Sequence, residues 1–248
     1  MSKVNKKDSL GNRMKGYENA FRHYLPGRMP VIVRIDGNAF HTYTKGMEKP
    51  FDYKLNNAMW EATKFVTENV GGCKIAYHQS DEVSLLITNY DKLTTSAWFD
   101  NNLQKFASIC SSMFTAKFNE VIHKDYPEKK LAIFDARAFV LSKEEVNNYF
   151  VWRQQDATRN SVSMVAQANF PHKELQNLNS TNLKEKLLVE KDISWENLPV
   201  FEKRGVCIRK LSVNLNGVTR NSWDVDHETP VFSGNTDYIN QFVYLNEN

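Results

Sequence analysis

The chain has 248 residues, 41% of them hydrophobic and 25% charged, and a formal net charge of +3. Those values fit one large soluble domain, or a compact domain with an appendage, and exclude a disordered or fibrous chain. No stretch approaches the roughly 20 apolar residues that span a bilayer, and the polar start from Met1 to Asp8 shows no secretory signal, so no membrane partner and a cytoplasmic address are expected.

Residues 9–24 read as a helix with a basic, exposed face, and Gly27 and Pro30 then break the chain. MPVIVRID (29–36) is a β-branched strand that ends at an aspartate and a glycine. A period of two sets Val31, Val33 and Ile35 on one face, free to meet helices, and Arg34 and Asp36 on the other, which stays open. After a loop containing Gly46, Lys49 and Pro50, the spacing of Leu55, Met59, Ala62, Phe65 and Val66 gives a helix over 53–69, ended by Gly71-Gly72. CKIAYHQ (73–79) and VSLLITNY (83–90) form a hairpin with Ser80, Asp81 and Glu82 at its tip. A long helix follows from about Ala97 to His123, with Phe99, Leu103, Phe106, Ile109, Cys110, Met113 and Phe114 inward. Pro127 stops it, and LAIFDARAFVL (131–141) is the next strand. The order β-α-β-β-α-β predicts an α+β, ferredoxin-like fold: an antiparallel sheet with both helices on one face.

A further helix runs from about 143 to 169. Residues 176–198, dominated by Asn, Ser, Lys and Glu, read as a mobile insertion, and KRGVCIRK (203–210) alternates like a hairpin arm. The expected division is a catalytic domain with its N-terminal helix over 1–142, and a helical and hairpin extension over 143–248 packed on it. Cys73, Cys110 and Cys207 are odd in number, far apart and set among apolar residues, which predicts buried thiols rather than a zinc site or a disulfide.

Chemistry concentrates at two acidic points. In RIDGNAFH (34–41) the strand delivers Asp36 to the rim of the sheet, and the turn after Gly37 offers backbone N–H groups to an anion. In QSDE (79–82) the hairpin tip carries Asp81. In a βαββαβ sheet these two carboxylates converge, and a pair of Mg²⁺ ions would relieve their repulsion while clamping the oxygens of a phosphoryl transfer. Either acid alone reads as an ordinary turn residue; the pairing points to metal. Glu82 is a third ligand, an outer acid or a solvated hairpin residue. His41 and His78 suit Mg²⁺ poorly; a phosphate contact, or packing, fits His41 better.

On the helix carrying YFVWRQQDATRNS (149–161), Arg153, Asp156 and Asn160 share a stripe. They form either a bidentate contact to phosphate or a base edge, or an ion-pair network that pins the helix. Lys45, Lys49 and Lys54, and later Lys203, Arg204, Arg209 and Lys210, are basic clusters that suit a triphosphate and an RNA backbone, although such runs are often solvated faces.

With RIDGNAFH, KPFD (49–52), YHQSDEVSLL (77–86), FDARAF (134–139), YFVWRQQDATRNS and KRGVCI (203–208) in this order and spacing, the sequence resembles the tRNA-histidine guanylyltransferase family. It is most similar to the guanylyltransferase-like branch of bacteria and archaea. The resemblance implies a polymerase- and cyclase-type palm, assembled as a homotetramer. It also implies two Mg²⁺ held by Asp36, Asp81 and the Gly37 carbonyl, with Glu82 matching an acid the family uses. A nucleoside triphosphate would lie on Asn38, Ala39, Phe40 and His41, with Lys49 and Ser80 contributing. RNA or phosphate contacts are expected at Arg34, Arg153, Asp156, Asn160, Lys203 and Arg204. The implied reaction is 3′–5′ addition to the 5′ end of tRNA, after ATP activates a 5′-monophosphate and an incoming nucleotide, often GTP, attacks through its 3′-hydroxyl.

The eukaryotic enzymes carry HINNLYN after WRQxD; this chain has TRNSVSM (158–164), with Thr158 where the histidine stands. That departure favours templated 5′ repair of truncated tRNA over dedicated, non-templated guanosine addition to tRNA-histidine. Two rivals differ in kind. A nucleotide cyclase or diguanylate synthase shares the two-acid site, but no GGDEF-like sequence is present. A non-catalytic ferredoxin-like RNA-binding protein would show aromatics on an open sheet face.

Overall fold

The computed structural model describes residues 9–215 and 218–245. The elements in chain order are α1 (Leu10–Ala20), β1 (Val31–Gly37), α2 (Phe40–Tyr43), α3 (Tyr53–Asn69), β2 (Cys73–Gln79), β3 (Glu82–Ile87), α4 (Leu103–Ile122) and β4 (Phe134–Val140). After them come α5 (Lys143–Asn169), α6 (His172–Leu175), α7 (Ser180–Lys191), α8 (Val200–Arg204), β5 (Val206–Leu215), β6 (Val218–Asp226) and α9 (Asp237–Asn240). Met1–Asp8, read above for a targeting signal, lie outside the described residues. The three cysteines are buried free thiols, as their surroundings predict.

All six strands join one sheet in the order β4-β1-β3-β2-β5-β6, with every pairing antiparallel. The βαββαβ unit supplies four of them. β5 pairs with β2, so strands from both sides of residue 142 share one sheet.

Helices α3 and α4 cover one face. Asp52 caps α3 by accepting from the Leu55 N–H (2.9 Å), and Ala58, Met59, Ala62 and Val66 form its buried row. Asn102 caps α4 in the same way through the Lys105 N–H (3.0 Å). Phe106, Cys110, Phe114, Phe118 and Ile122 then recur every four residues against Val31, Val33, Ile35, Val83, Leu85 and Ile87 of the sheet. The helix expected from Ala97 therefore begins at Leu103. Phe99, Asp100 and Asn101 adopt left-handed backbone ahead of the cap, which leaves Phe99 outside the core, and Leu103 is only half-buried.

The other face is not open. α5 lies across it, packing Val146, Tyr149, Phe150 and Ala157 on Ile32, Ile75, Tyr77, Leu86 and Cys207, with Phe232, Ile239 and Val243 closing the edge. The central strands are apolar on both sides except at one end, where Arg34, Asp36, Glu82 and Ser84 replace the aliphatic residues; such strands need two covering layers. Residues 176–198, expected to be mobile, are built into the fold. Leu183 and Leu187 of α7, with Trp195, pack on Val162, Val165 and Ala166 of α5. α1 ends at Ala20 rather than Tyr24 and buries no residue.

Candidate active site

The polar end of the sheet is built by register. β1 pairs with β3 so that Asp36 faces Glu82, and with β4 so that Asp36 faces Asp135. Residues directly opposite share a face, so three carboxylates line up across three strands. The β2–β3 turn holds only Ser80 and Asp81, since Glu82 already belongs to β3. The Gly37 N–H donates to the Asp81 carbonyl (3.1 Å), which ties the two acidic motifs together. Burial raises the pKa of Asp81, and the charge of Asp36 adds to the rise; the Ser80 hydroxyl and Asp81's own N–H pull it down. The structure thus brings Asp36, Gly37 and Asp81 together at one edge.

Gly37 is required by packing. A Cβ there would meet the Phe40 ring at 2.3 Å. That ring is buried, 5.0 Å from Phe134 and 5.8 Å from Phe118 between centroids. Phe40 can therefore serve a ligand through its backbone and the edge of its ring, not by stacking. Ala39 takes left-handed backbone and opens α2, and the Asn38 N–H is committed to the Ile133 carbonyl (2.8 Å). Asn38, Ala39 and His41 are exposed.

Beside this turn lies a cleft of about 400 Å³, lined by Phe40, His41, Lys45, Lys49, Ser80 and Asp81, with Asp52 at the cap of α3, Asn56 of α3, and Met164 and Gln167 of α5. Of the residues expected at the nucleotide site, Phe40, His41, Lys49 and Ser80 line it, together with Asp81. Its contributions from Asp52, Asn56, Met164 and Gln167 were not expected from sequence. Asp52 could have been found from its place one residue before an apolar-periodic helix. It also accepts from the Glu48 N–H (3.0 Å) and the Tyr126 hydroxyl, so the KPFD segment is anchored at both ends.

Other expected residues separate from this cleft. Arg153 is enclosed between Glu82 (Nη1 to Oε2, 2.8 Å) and Asp156 (Nη2 to Oδ2, 2.8 Å), with its guanidinium over the Trp152 ring. Between the two readings left open above, the geometry is that of the pinning ion pair, because a buried guanidinium held by two carboxylates offers nothing to a polyanion. Asp156 is shared with Arg159 (2.9 Å). Burial raises the pKa of Glu82 even though Arg153 and Arg34 oppose the rise, and its Oε1 is buried without a hydrogen bond. Glu82 is therefore not a solvated hairpin residue. Arg34 packs against Trp152, and Arg137 sits 3.7 Å from Asp36 and 3.2 Å from Asp135.

Asn160 lines a small pocket of about 60 Å³ with His78, Gln79 and Ser80. Lys203 and Arg204 line a separate depression of about 410 Å³ with Thr158 and Arg159. Lys203 donates there to the Glu196 carbonyl (2.6 Å). The glycine that follows them has a structural task. At Gly205 (φ 75°) a Cβ would lie 2.4 Å from the His78 carbonyl. The Tyr77 hydroxyl donates to the Arg204 carbonyl (2.7 Å), so KRG clamps the strand that carries the QSD tip.

Among the described residues, no group of three or more His, Cys, Asp or Glu side chains is arranged to hold a metal alone. No described helix is long and apolar enough to cross a membrane. The aromatic open face required of a bare RNA-binding sheet is absent, because α5 covers it.

Comparison with known proteins follows the same lines. The family model described as tRNAHis guanylyltransferase matches residues 11–142. A solved bacterial tRNA(His) guanylyltransferase-like protein in complex with ATP is 61% identical, with a TM-score of 0.90 over 96% of this chain and all of that one. A second, in complex with GTP, is 56% identical with a TM-score of 0.83 over the same shares. The tRNA(His) guanylyltransferase of Schizosaccharomyces pombe is 33% identical over 53% of this chain and 51% of its own length.

Proposed function

The chain belongs to the tRNA(His) guanylyltransferase family and is a nucleotidyltransferase, and from that premise we propose that it extends tRNA in the 3′–5′ direction, repairing truncated 5′ ends against the opposing base. The observation that carries this reading is the cleft at the QSD turn, where Ser80, Asp81, His41 and Lys49 converge next to Asp36 and Gly37.

The residues present fit two Mg²⁺. The donors are all oxygen, from Asp36, Asp81 and the Gly37 carbonyl, and Asp81 bears a charge that burial and Asp36 both disfavour. Bound there, the ions would acidify an attacking hydroxyl and neutralise charge on the transferring phosphate.

The protein's own part is alignment. Lys49, His41 and the turn at 38–41 receive the triphosphate of ATP or GTP, and Ser80 borders it. ATP first activates a 5′-monophosphate end, and the 3′-hydroxyl of the incoming nucleotide then displaces the activating group. The Glu82–Arg153 pair fixes β3 to α5, so the acids keep their places during the exchange. The depression with Thr158, Arg159, Lys203 and Arg204 is a path for the acceptor RNA. The same reading places the protein in the cytoplasm as a homotetramer; the uncovered apolar residues of α1, Leu10, Met14 and Tyr17, are surface that subunit contacts could bury.

Incubation with 5′-truncated tRNAs and each nucleoside triphosphate tests the proposal. Addition should follow the opposing base. Guanosine addition that ignores it would make the protein a dedicated histidine-tRNA enzyme instead.

A further inference from the structure

The two-residue turn that presents Asp81 is backed by a side-chain chain that begins on a different element. Ser80 adopts φ 52°, the left-handed region that residues with a Cβ avoid and that glycine or asparagine usually fills in such turns. Within the turn the Ser80 hydroxyl reaches the Asp81 carboxylate, while the carbonyl of Ser80 is held from outside it. The support comes from His78, whose Nε2–H donates to the Ser80 carbonyl (2.9 Å). His78 Nδ1 in turn accepts from the Trp60 indole N–H of α3 (3.1 Å).

An indole nitrogen can only donate, so the contact with Trp60 fixes Nδ1 as the acceptor and leaves the proton on Nε2, facing Ser80. The His78 ring is buried, and burial holds its pKa at about 4, so the neutral tautomer persists at any ordinary pH. From the other side Gly205 lies against the His78 carbonyl, and the Arg204 carbonyl is held by Tyr77. His78 is thus fixed from three directions, and its one free donor is spent on the turn.

We propose that Trp60 and His78 form a positioning relay that sets the Ser80–Asp81 turn for nucleotidyl transfer, without either residue touching substrate. The relay rests on the reading of Asp81 as a working acid. It gives α3, whose N-terminal cap is Asp52 of the KPFD segment, a grip on both walls of the cleft.

Three variants test it: His78→Phe keeps a ring and loses the donor, His78→Gln returns an N–H near the Nε2 position, and Trp60→Phe removes only the contact that sets the tautomer. Thermal melting and tRNA binding establish folding, and nucleotide addition to truncated tRNA is read as kcat and nucleotide KM separately. Misplacing an acid by a fraction of an ångström to one ångström costs on the order of 10- to 100-fold in rate. H78F should therefore lose about that factor in kcat with KM nearly unchanged, W60F should lose less, and H78Q should recover most of the loss. A folded H78F with wild-type kcat, or an H78Q no better than H78F, overturns the relay. If H78F does not fold, W60F decides by the same readouts, and a wild-type kcat there overturns it. Asp81→Asn separates the two levels. An active D81N removes the reading of the site, and the relay with it, whereas an inactive D81N beside a fully active H78F removes the relay alone.

Discussion

Replacing Arg153 by methionine isolates the ion pair that joins α5 to the catalytic end of the sheet. The side chains of Arg153 and Glu82 are 7% and 9% exposed and meet at 2.8 Å. Methionine fills much of the same volume but leaves Glu82 with both carboxylate oxygens buried and unpaired, since Oε1 has no hydrogen bond to begin with. Removing one partner of a buried pair costs about 3–5 kcal/mol, most of it the desolvation of the charge left behind. Removing both charges with Glu82→Leu and Arg153→Met together should cost under about 2 kcal/mol, because a buried pair replaced by apolar side chains is often neutral. Urea unfolding at pH 7, without divalent cations, compares wild type, R153M and the double variant. The penalty in R153M should also shrink in acid. Burial has already raised the pKa of Glu82, and loss of Arg153 raises it further, so its stabilising protonated form is complete below the unfolded value and lost as pH climbs through the folded one. An R153M variant within about 1 kcal/mol of wild type that instead loses salt-dependent tRNA affinity would refute the internal pairing and restore Arg153 as a phosphate contact.

Gly205→Ala should destabilise the protein by about 2 kcal/mol or more in urea unfolding, from positive φ and a clash with the His78 carbonyl; Gly46→Ala, at φ 82° with open space around it, should cost only about 1 kcal/mol. His78 has a folded pKa of about 4 against an ordinary 6.5, so its contribution is complete above pH 6.5 and lost as pH falls toward 4. Over that window wild type should lose up to about 3 kcal/mol that H78Q retains, and parallel stability curves would contradict it. Asp36→Ala should abolish nucleotide addition while tRNA binding, followed by filter retention or anisotropy, stays within about threefold, because phosphate contacts elsewhere dominate affinity.

Helix 53–69 was readable from the spacing of Leu55, Met59, Ala62, Phe65 and Val66, and a helix from about 143 to 169 was expected where α5 runs. The convergence of Asp36 and Asp81 was readable too, since topology alone puts β1 beside β3. What α5 does was not. Its inner row mixes Tyr149, Phe150 and Ala157 with Arg153 and Gln154, and no periodicity tells which sheet face such a row will meet. Arg153 could be read only as a choice between phosphate and protein carboxylate, because its partner Glu82 lies 71 residues away. The Trp60–His78 contact left no trace in sequence, as nothing in the spacing of an indole and an imidazole predicts that they meet. Residues 176–198 misled by composition: among many polar residues, buried Leu183, Leu187 and Trp195, with Leu178, Ile193 and Leu198 packed against them, dock the segment on α5.

A crystal structure with Mg²⁺ and a non-hydrolysable GTP analogue would test the site most directly. The triphosphate is predicted to lie along residues 37–41, with Lys49 and Ser80 beside it and two cations between Asp36, the Gly37 carbonyl and Asp81. A nucleotide seated outside the cleft, or carboxylates of Asp36 and Asp81 that share no cation, would contradict the assignment.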